Sequence, residues 1–551
     1  MISFFKRHNT LSVFLFVLCV NLFFFSGHIG GDAIWNYLTA QSLFTDGNVN
    51  LADSIKEIKI AELHDSFEKA HEEIRSQKNL YGKVYSKYGF GSIIVGVVFY
   101  GAGFFFLKIF PFLPEDYFLI FTFSLQNVFV VSLLALVFFK LLKLFADERK
   151  NVSVLTFGFA FGTILFTYAL KSGFGEPLAG LIILSGFYVI NLYDRNKKLK
   201  YLFLSGFLTG FLLLTKIYTV VLFPAFFIFL CLVIEKKGIK NILLQIFTFL
   251  AGFIIPIIIF LAYNFMKFGF GNVFETGYGI EGTGGTFATE FILDVYYSSI
   301  TLFNIFFSTG KGLFIFNPLI ILSFFGIKNL FKNHKKQFVF YIAACVPYIL
   351  FFSMSPQWPS YGAWGSRYFI PLLGILIFPA VFIFENIPES SGKRFVKALY
   401  VVIILGIFIQ LPSVLMNYSA FERFLEKECP HSYRSRITMP QYSQIIGGYY
   451  QLFSGITRAT TGESIEFPLI LHEKSAIEKA QSPDRIDSNI SFYRWAVVER
   501  KSLAGYDWFD LWFIHIYSIN LVVLPLKFLT VPVVAFIAFA SIFLFRQIMN
   551  N

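Results

Sequence analysis

The chain is a succession of apolar runs, and no other feature limits its folding so tightly. Runs at 11–27, 117–142, 152–170, 177–193, 217–234, 241–264, 312–331, 338–354, 368–386, 396–418 and 520–545 are nearly free of charge. A helix needs about 20 such residues to cross a bilayer. With the shorter run 201–215, the pattern predicts about twelve crossings. Backbone groups in hydrocarbon must be satisfied within the segment, which selects helices or closed barrels. Alternating strands of barrel type are absent, so the fold class is an all-α polytopic membrane protein. Composition agrees: 56% of residues are hydrophobic and 15% charged, where soluble chains carry about 45–50% and about 25%. A soluble enzyme, a disordered chain and a disulfide-stapled module are excluded. Cys19, Cys231 and Cys345 lie in apolar runs and Cys429 in a polar one, which leaves no external pair.

The formal charge is +12, from 46 basic and 34 acidic residues. It does not mark a nucleic-acid binder, because the basic residues cluster in short loops between apolar runs. Arg149-Lys150, Lys197-Lys198, Lys236-Lys237, Lys335-Lys336 and Lys393-Arg394 read as cytoplasmic. The first apolar run follows Lys6-Arg7 and lacks a small-x-small cleavage site, so it reads as an uncleaved first helix. Counting from these loops puts 171–176, 265–311, 355–367 and 419–519 outside. Residues 88–110 are apolar enough to span but would reverse the count. They read as an interfacial or re-entrant helix, with glycines and the Pro111–Pro114 break favouring irregular backbone. The division is then a membrane domain over 1–418, with a first external loop at 29–87 holding an interfacial helix near 53–78. An extracytoplasmic region follows at 419–519, and a last span with its tail at 520–551.

The singled-out residues stand at the outer ends of helices. Asp32, after Gly30-Gly31, reads either as a helix N-cap or as a partly desolvated carboxylate placed to act as general base. Trp35 suits the interfacial aromatic belt or a sugar face. Glu176 precedes Pro177 and reads either as part of a helix start or as a second acid facing the cavity of Asp32. Arg367 and Lys311 head two other spans, where positive charge is not favoured for topology. They read as snorkelling side chains or as phosphate ligands. Lys216, between two apolar segments, has the same two readings. His64, Glu68 and His71 share one face of a charged helix, a spacing that charged helices also produce by accident.

Several stretches, in this order, resemble the GT-C glycosyltransferases, in particular the protein O-mannosyltransferase and aminoarabinose-transferase-like group (glycosyltransferase family 39-like). They are Gly31-Asp32 through Leu43, Tyr85-Ser86-Lys87-Tyr88-Gly89, Phe174-Gly175-Glu176-Pro177, and Gly206 through Lys216. Lys311-Gly312-Leu313-Phe314 with Asn317-Pro318, and Trp364-Gly365-Ser366-Arg367-Tyr368 with Pro371, complete the set. The resemblance implies a GT-C-like fold and an inverting transfer of a sugar from a polyprenyl-phosphate donor to an extracytoplasmic acceptor (lipid, glycan or protein). It implies Asp32 as catalytic base and Glu176 as second acid, since Ala33 stands where the family often has another acid. Lys87 stands in place of a Lys-Pro-Pro run. Arg367, Lys311, Lys216, Lys87, Trp35, Tyr85 and Trp364 are the implied substrate- and phosphate-binding residues. No cofactor is required; a divalent metal is compatible and not needed. Membrane lipid is the remaining partner, in an inner or endoplasmic-reticulum-type membrane with the site on its outer face. The alternatives are a transporter or flippase, or a polymerase or ligase, of lipid-linked glycans.

Overall fold

The computed structural model describes residues 9–27, 29, 32–51, 85–86, 88–146, 149–171, 173–268, 294–360, 362–385, 389–419, 421–422, 425, 433–461, 509–518 and 524–550. Among the described residues the chain is helical, without a β-strand, and an isolated antiparallel bridge pairs Met416 with Phe509. Eight helices are long and apolar enough to cross a membrane: Phe90–Ile109, Tyr117–Leu142, Glu176–Asn196, Ile239–Lys267, Lys335–Ser353, Arg367–Phe384, Phe395–Leu415 and Lys527–Met549. Four shorter apolar helices, Thr10–Phe24, Leu199–Thr215, Ile217–Val233 and Val295–Phe307, accompany them. The chain is a multi-pass membrane protein.

Phenylalanine serves both surfaces of this bundle. Phe138, Phe159 and Phe187 are fully buried, and Phe187 stacks on Phe340 with ring centroids 4.1 Å apart. Phe247, Phe528 and Phe536 are more than 60% exposed. In water such a surface would drive aggregation; against acyl chains it costs nothing.

Three expected spans are interrupted. The run 152–170 breaks into Arg149–Phe161 and Leu165–Leu170, and the run 312–331 into Leu313–Phe316 and Leu319–Asn333. The run 368–386 passes from a 3₁₀ turn to the α-helix Ile370–Ile377 and back to 3₁₀. Irregular backbone at membrane depth survives only where other groups complete its hydrogen bonds. Here the second break serves the first, and Gln410 of the helix Glu389–Leu415 serves the second. Asn317 Oδ1 accepts from the Ile164 backbone N–H at 2.9 Å, and Gln410 Nε2 donates to the Phe316 carbonyl at 2.8 Å.

Residues 88–110, expected as an interfacial or re-entrant helix, contain an unbroken 20-residue helix, Phe90–Ile109. Its glycines are close-packing positions. A Cβ at Gly96 would lie 2.6 Å from the Phe123 ring, and one at Gly103 2.1 Å from Thr122 Oγ1. The irregular backbone begins only after Ile109, at Phe110–Pro114.

The basic loops converge at one end of the bundle. Lys197 and Lys336 both bind Asp194 Oδ1 at 2.9 Å, and His334 Nε2 lies 2.7 Å from Glu385 Oε1. The helix Glu176–Asn196 leads away from this end over 21 residues, about 30 Å. The singled-out residues gather where it begins.

Replacing Asn317 with Ala removes the acceptor of a buried backbone N–H, at a cost of about 1–3 kcal/mol. A lowered thermal midpoint in detergent micelles is expected; an unchanged midpoint would show that the first break does not depend on the second.

Candidate active site

Two antiparallel helices build the centre of the site. Glu176–Asn196 leads to the basic end, and Leu199–Thr215 packs beside it and returns. The return brings Lys216, the residue after the second helix, next to Glu176, the first residue of the first. Lys216 Nζ stands 3.1 Å from Glu176 Oε1. Arg367 Nε approaches the same oxygen at 3.8 Å from the start of a third segment. Glu176 is fully buried.

Gly175 is the N-cap of the helix that Glu176 begins, and neither Glu176 oxygen accepts a hydrogen bond. The capping account of Glu176 therefore falls away. Its carboxylate is an ionic anchor for two cations, and it stands at a helix N-terminus, where negative charge is favoured. One buried carboxylate faces two cations, so the cluster carries a surplus positive charge.

The turn 171–176 wraps this cluster. The Arg367 guanidinium lies 4.8 Å from the centroid of the Phe174 ring, and Lys216 Nζ lies 5.6 Å from that of Tyr88. Gly173 has φ +108°, and a Cβ there would lie 1.7 Å from Ala33 Cβ. Only glycine fits that position. Asn36 Nδ2 donates to the Gly173 carbonyl at 3.4 Å. The helix Asp32–Thr45 thus docks by its N-terminal turn on the loop that carries Glu176. Asp32 is its first residue, beside Ala33; its side chain lies outside what the structure describes, as do Lys87, His64, Glu68 and His71.

Lys311 is fully buried beside the cluster. Its ammonium donates to the Ala363 carbonyl, and its own carbonyl accepts from Ser366 Oγ at 2.7 Å. Burial pulls its pKa down to about 8; Glu422 opposes that fall and Arg367 adds to it. Lys311 and the loop before Arg367 are therefore one packed unit.

The aromatic candidates are enclosed. Trp364 is 1% exposed, its indole N–H donates to Gln410 Oε1 at 2.8 Å, and Phe316 meets its face edge-on. Trp35 is buried among Ala33, Leu38 and Tyr88. The Tyr85 ring packs on Val49, Ile93 and Tyr263, half-buried. All three pack against protein surfaces; the expectations were an interfacial or sugar-facing role for Trp35 and substrate binding for Tyr85 and Trp364.

Several site residues escaped sequence reasoning. Gln444 accepts from the Gly365 N–H at 3.0 Å and donates to the Ala363 carbonyl at 2.8 Å. Ser443 Oγ donates to the Thr309 carbonyl at 2.7 Å, and the Gly310 N–H to the Ile437 carbonyl at 2.8 Å. Residues 433–461, which fall within the expected extracytoplasmic region, are thus part of the floor of the site. Residues 509–518 act similarly. Lys171 and His515 both bind the buried Asp510, and the Trp512 N–H donates to the Phe25 carbonyl at 2.8 Å. The one available signal was polarity: Gln410 interrupts an apolar run, as interhelical hydrogen-bonding residues do. Among the described residues, no three of His, Cys, Asp and Glu are grouped to hold a metal.

No protein-family model and no curated protein matches the chain. Among solved structures it is similar to ArnT from Cupriavidus metallidurans bound to undecaprenyl phosphate. The identity is 13% and the TM-score 0.44, over 82% of this chain and 71% of that one. It is similar to the apo state of the same protein at 11% identity and TM-score 0.44, over 83% and 72%. It is also similar to the archaeal oligosaccharyltransferase AglB from Archaeoglobus fulgidus in complex with an inhibitory peptide and a dolichol-phosphate. That identity is 12% and the TM-score 0.40, over 78% of this chain and 59% of that one. Likeness this distant carries nothing about activity.

Lys216→Met leaves the buried Glu176 carboxylate with Arg367 alone, and breaking such a pair costs about 3–5 kcal/mol. A second change, Glu176→Gln, should recover part of that loss in thermal unfolding. A double variant no more stable than Lys216→Met would overturn the anchoring role of Glu176.

Proposed function

We propose that this protein is an integral-membrane glycosyltransferase that moves a sugar from a polyprenyl-phosphate donor to an acceptor on the extracytoplasmic side. The observation that carries this reading is the cluster of the buried Glu176 with the partly buried Lys216 and Arg367, with Lys311 beside it, at the level where the Asp32 helix docks. The motif resemblance of the sequence supports it independently of that geometry.

The reaction assigns each group a task. A donor phosphate binds at the surplus positive charge of Lys216, Arg367 and Lys311, and its prenyl chain lies along the apolar outer surface of the bundle. Asp32 takes the proton of the acceptor hydroxyl or amine. The freed electron pair forms the new bond to the anomeric carbon, the carbon–oxygen bond to phosphate breaks, and polyprenyl phosphate leaves with the electron pair of the broken bond. Attack opposite the leaving group inverts the anomeric configuration. The leaving phosphate gains charge as the bond breaks, and preorganised cations in a water-poor site stabilise that charge most. Glu176 keeps Lys216 and Arg367 aligned before donor arrives. A transporter would place its charges near mid-span; here they stand at helix ends.

Asp32→Asn should abolish sugar transfer from a polyprenyl-phosphate donor while leaving expression and thermal midpoint unchanged; near-normal transfer in that variant would sink the proposal. Donor binding needs Lys311 charged. Its free-state pKa near 8 means that affinity should fall as pH rises through about 8. A flat affinity from pH 7 to 9.5 would remove Lys311 from the phosphate site.

A further inference from the structure

A second group of buried cations lies on the far side of Lys311. Arg436 is 5% exposed, and its Nε and Nη1 are buried without a hydrogen-bond partner. Its guanidinium carbon lies 5.6 Å from the centroid of the Tyr433 ring, and Lys311 Nζ lies 5.8 Å from the same centroid. The two cations flank a direct backbone contact, the hydrogen bond from the Gly310 N–H to the Ile437 carbonyl at 2.8 Å. They are neighbours held by two different chain segments.

Buried polar nitrogens without partners are rare and need an account. A guanidinium removed from water is tolerated when its fork meets an anion. The acid that acts on Lys311 is Glu422, itself buried. Glu422 opposes the loss of charge at Lys311, and Arg367 adds to it. The chemistry that fits is a doubly charged oxyanion with oxygens spaced for a planar fork, which is the phosphoryl group.

We infer that Lys311 and Arg436 form a second anion subsite, of phosphate class, adjoining the Glu176–Lys216–Arg367 cluster. This deepens the reading of the site as a sugar transferase and rests on it only for the source of the ligand. The phosphoryl group belongs either to a donor with a diphosphate linkage or to the acceptor. Arg436 is then a binding residue contributed by a segment that otherwise forms the floor of the site.

The test uses the full chain in lipid nanodiscs, with inorganic pyrophosphate and inorganic phosphate titrated calorimetrically. The wild type should bind pyrophosphate saturably. Arg436→Gln should weaken it by about tenfold or more, the worth of a charge-assisted hydrogen bond, and Arg436→Lys should recover part of the loss. Wild-type affinity in Arg436→Gln, or no saturable binding by the wild type, would overturn the inference. Should Arg436→Gln not fold, Arg436→Lys and Lys311→Met replace it, and unchanged affinity in both overturns the inference equally. Short-chain polyprenyl monophosphate and diphosphate distinguish the sources. A loss confined to the diphosphate lipid assigns the subsite to the donor. Equal binding of both lipids by variant and wild type, with pyrophosphate still weakened, assigns it to the acceptor. No sugar is transferred in these titrations, so an enzyme inactive in glycosyl transfer would fail the functional proposal and leave this one standing.

Discussion

A carboxylate taken completely out of water organises this end of the molecule. Glu176 is buried at a helix start, and two cations from other segments stand 3.1 and 3.8 Å from one of its oxygens. Its burial is tolerable only while both remain. The helix hairpin that returns Lys216, the turn that places Phe174 against Arg367, and the loop that begins the helix Ile370–Ile377 are therefore held in one register. A site built this way is set before any ligand arrives, which is the condition under which electrostatic stabilisation of a leaving phosphate is most effective.

That register depends on interrupted helices. Regular spans would carry their termini to the bundle ends and leave no polar backbone within. The breaks at 162–164 and 317–318 expose backbone groups, and the amides of Asn317 and Gln410 absorb them. Trp364 is fixed through Gln410 as well, and Gln444 holds the residues on either side of it, Ala363 and Gly365. The polar network under Arg367 is thus continuous with the repair of the broken helices. A single missing member leaves unpaired groups in a low-dielectric interior, where they cost most.

The segments 433–461 and 509–518 take part in this network and do not sit beside it. Residues 433–461 bond to the loops carrying Lys311 and Trp364. Residues 509–518 lock Lys171 through Asp510, and burial keeps the Lys171 pKa below its ordinary value while Asp510 opposes that fall. Lys171 stands at the other end of the turn that ends at Glu176. The segment 509–518 and the end of the first apolar helix therefore meet through Trp512 and Phe25.

Hydropathy alone determined the helical, multi-pass class, because a run of about 20 apolar residues has few other stable states in a bilayer. Charge placement alone marked Glu176, Lys216, Lys311 and Arg367, since ionised groups at helix ends are costly and stand out. Tertiary structure decided the rest. Nothing local distinguishes Glu176 as an anchor from Glu176 as a cap, because the difference lies in Lys216, 40 residues away along a hairpin. Trp35 and Trp364 stand in the sequence as candidate binding residues and are buried like core residues, and only packing shows that burial. Gln444 and Arg436 lie in a polar stretch without periodicity, where every residue looks solvated. Their burial comes from a surface formed by other helices, and no sequence window contains that surface.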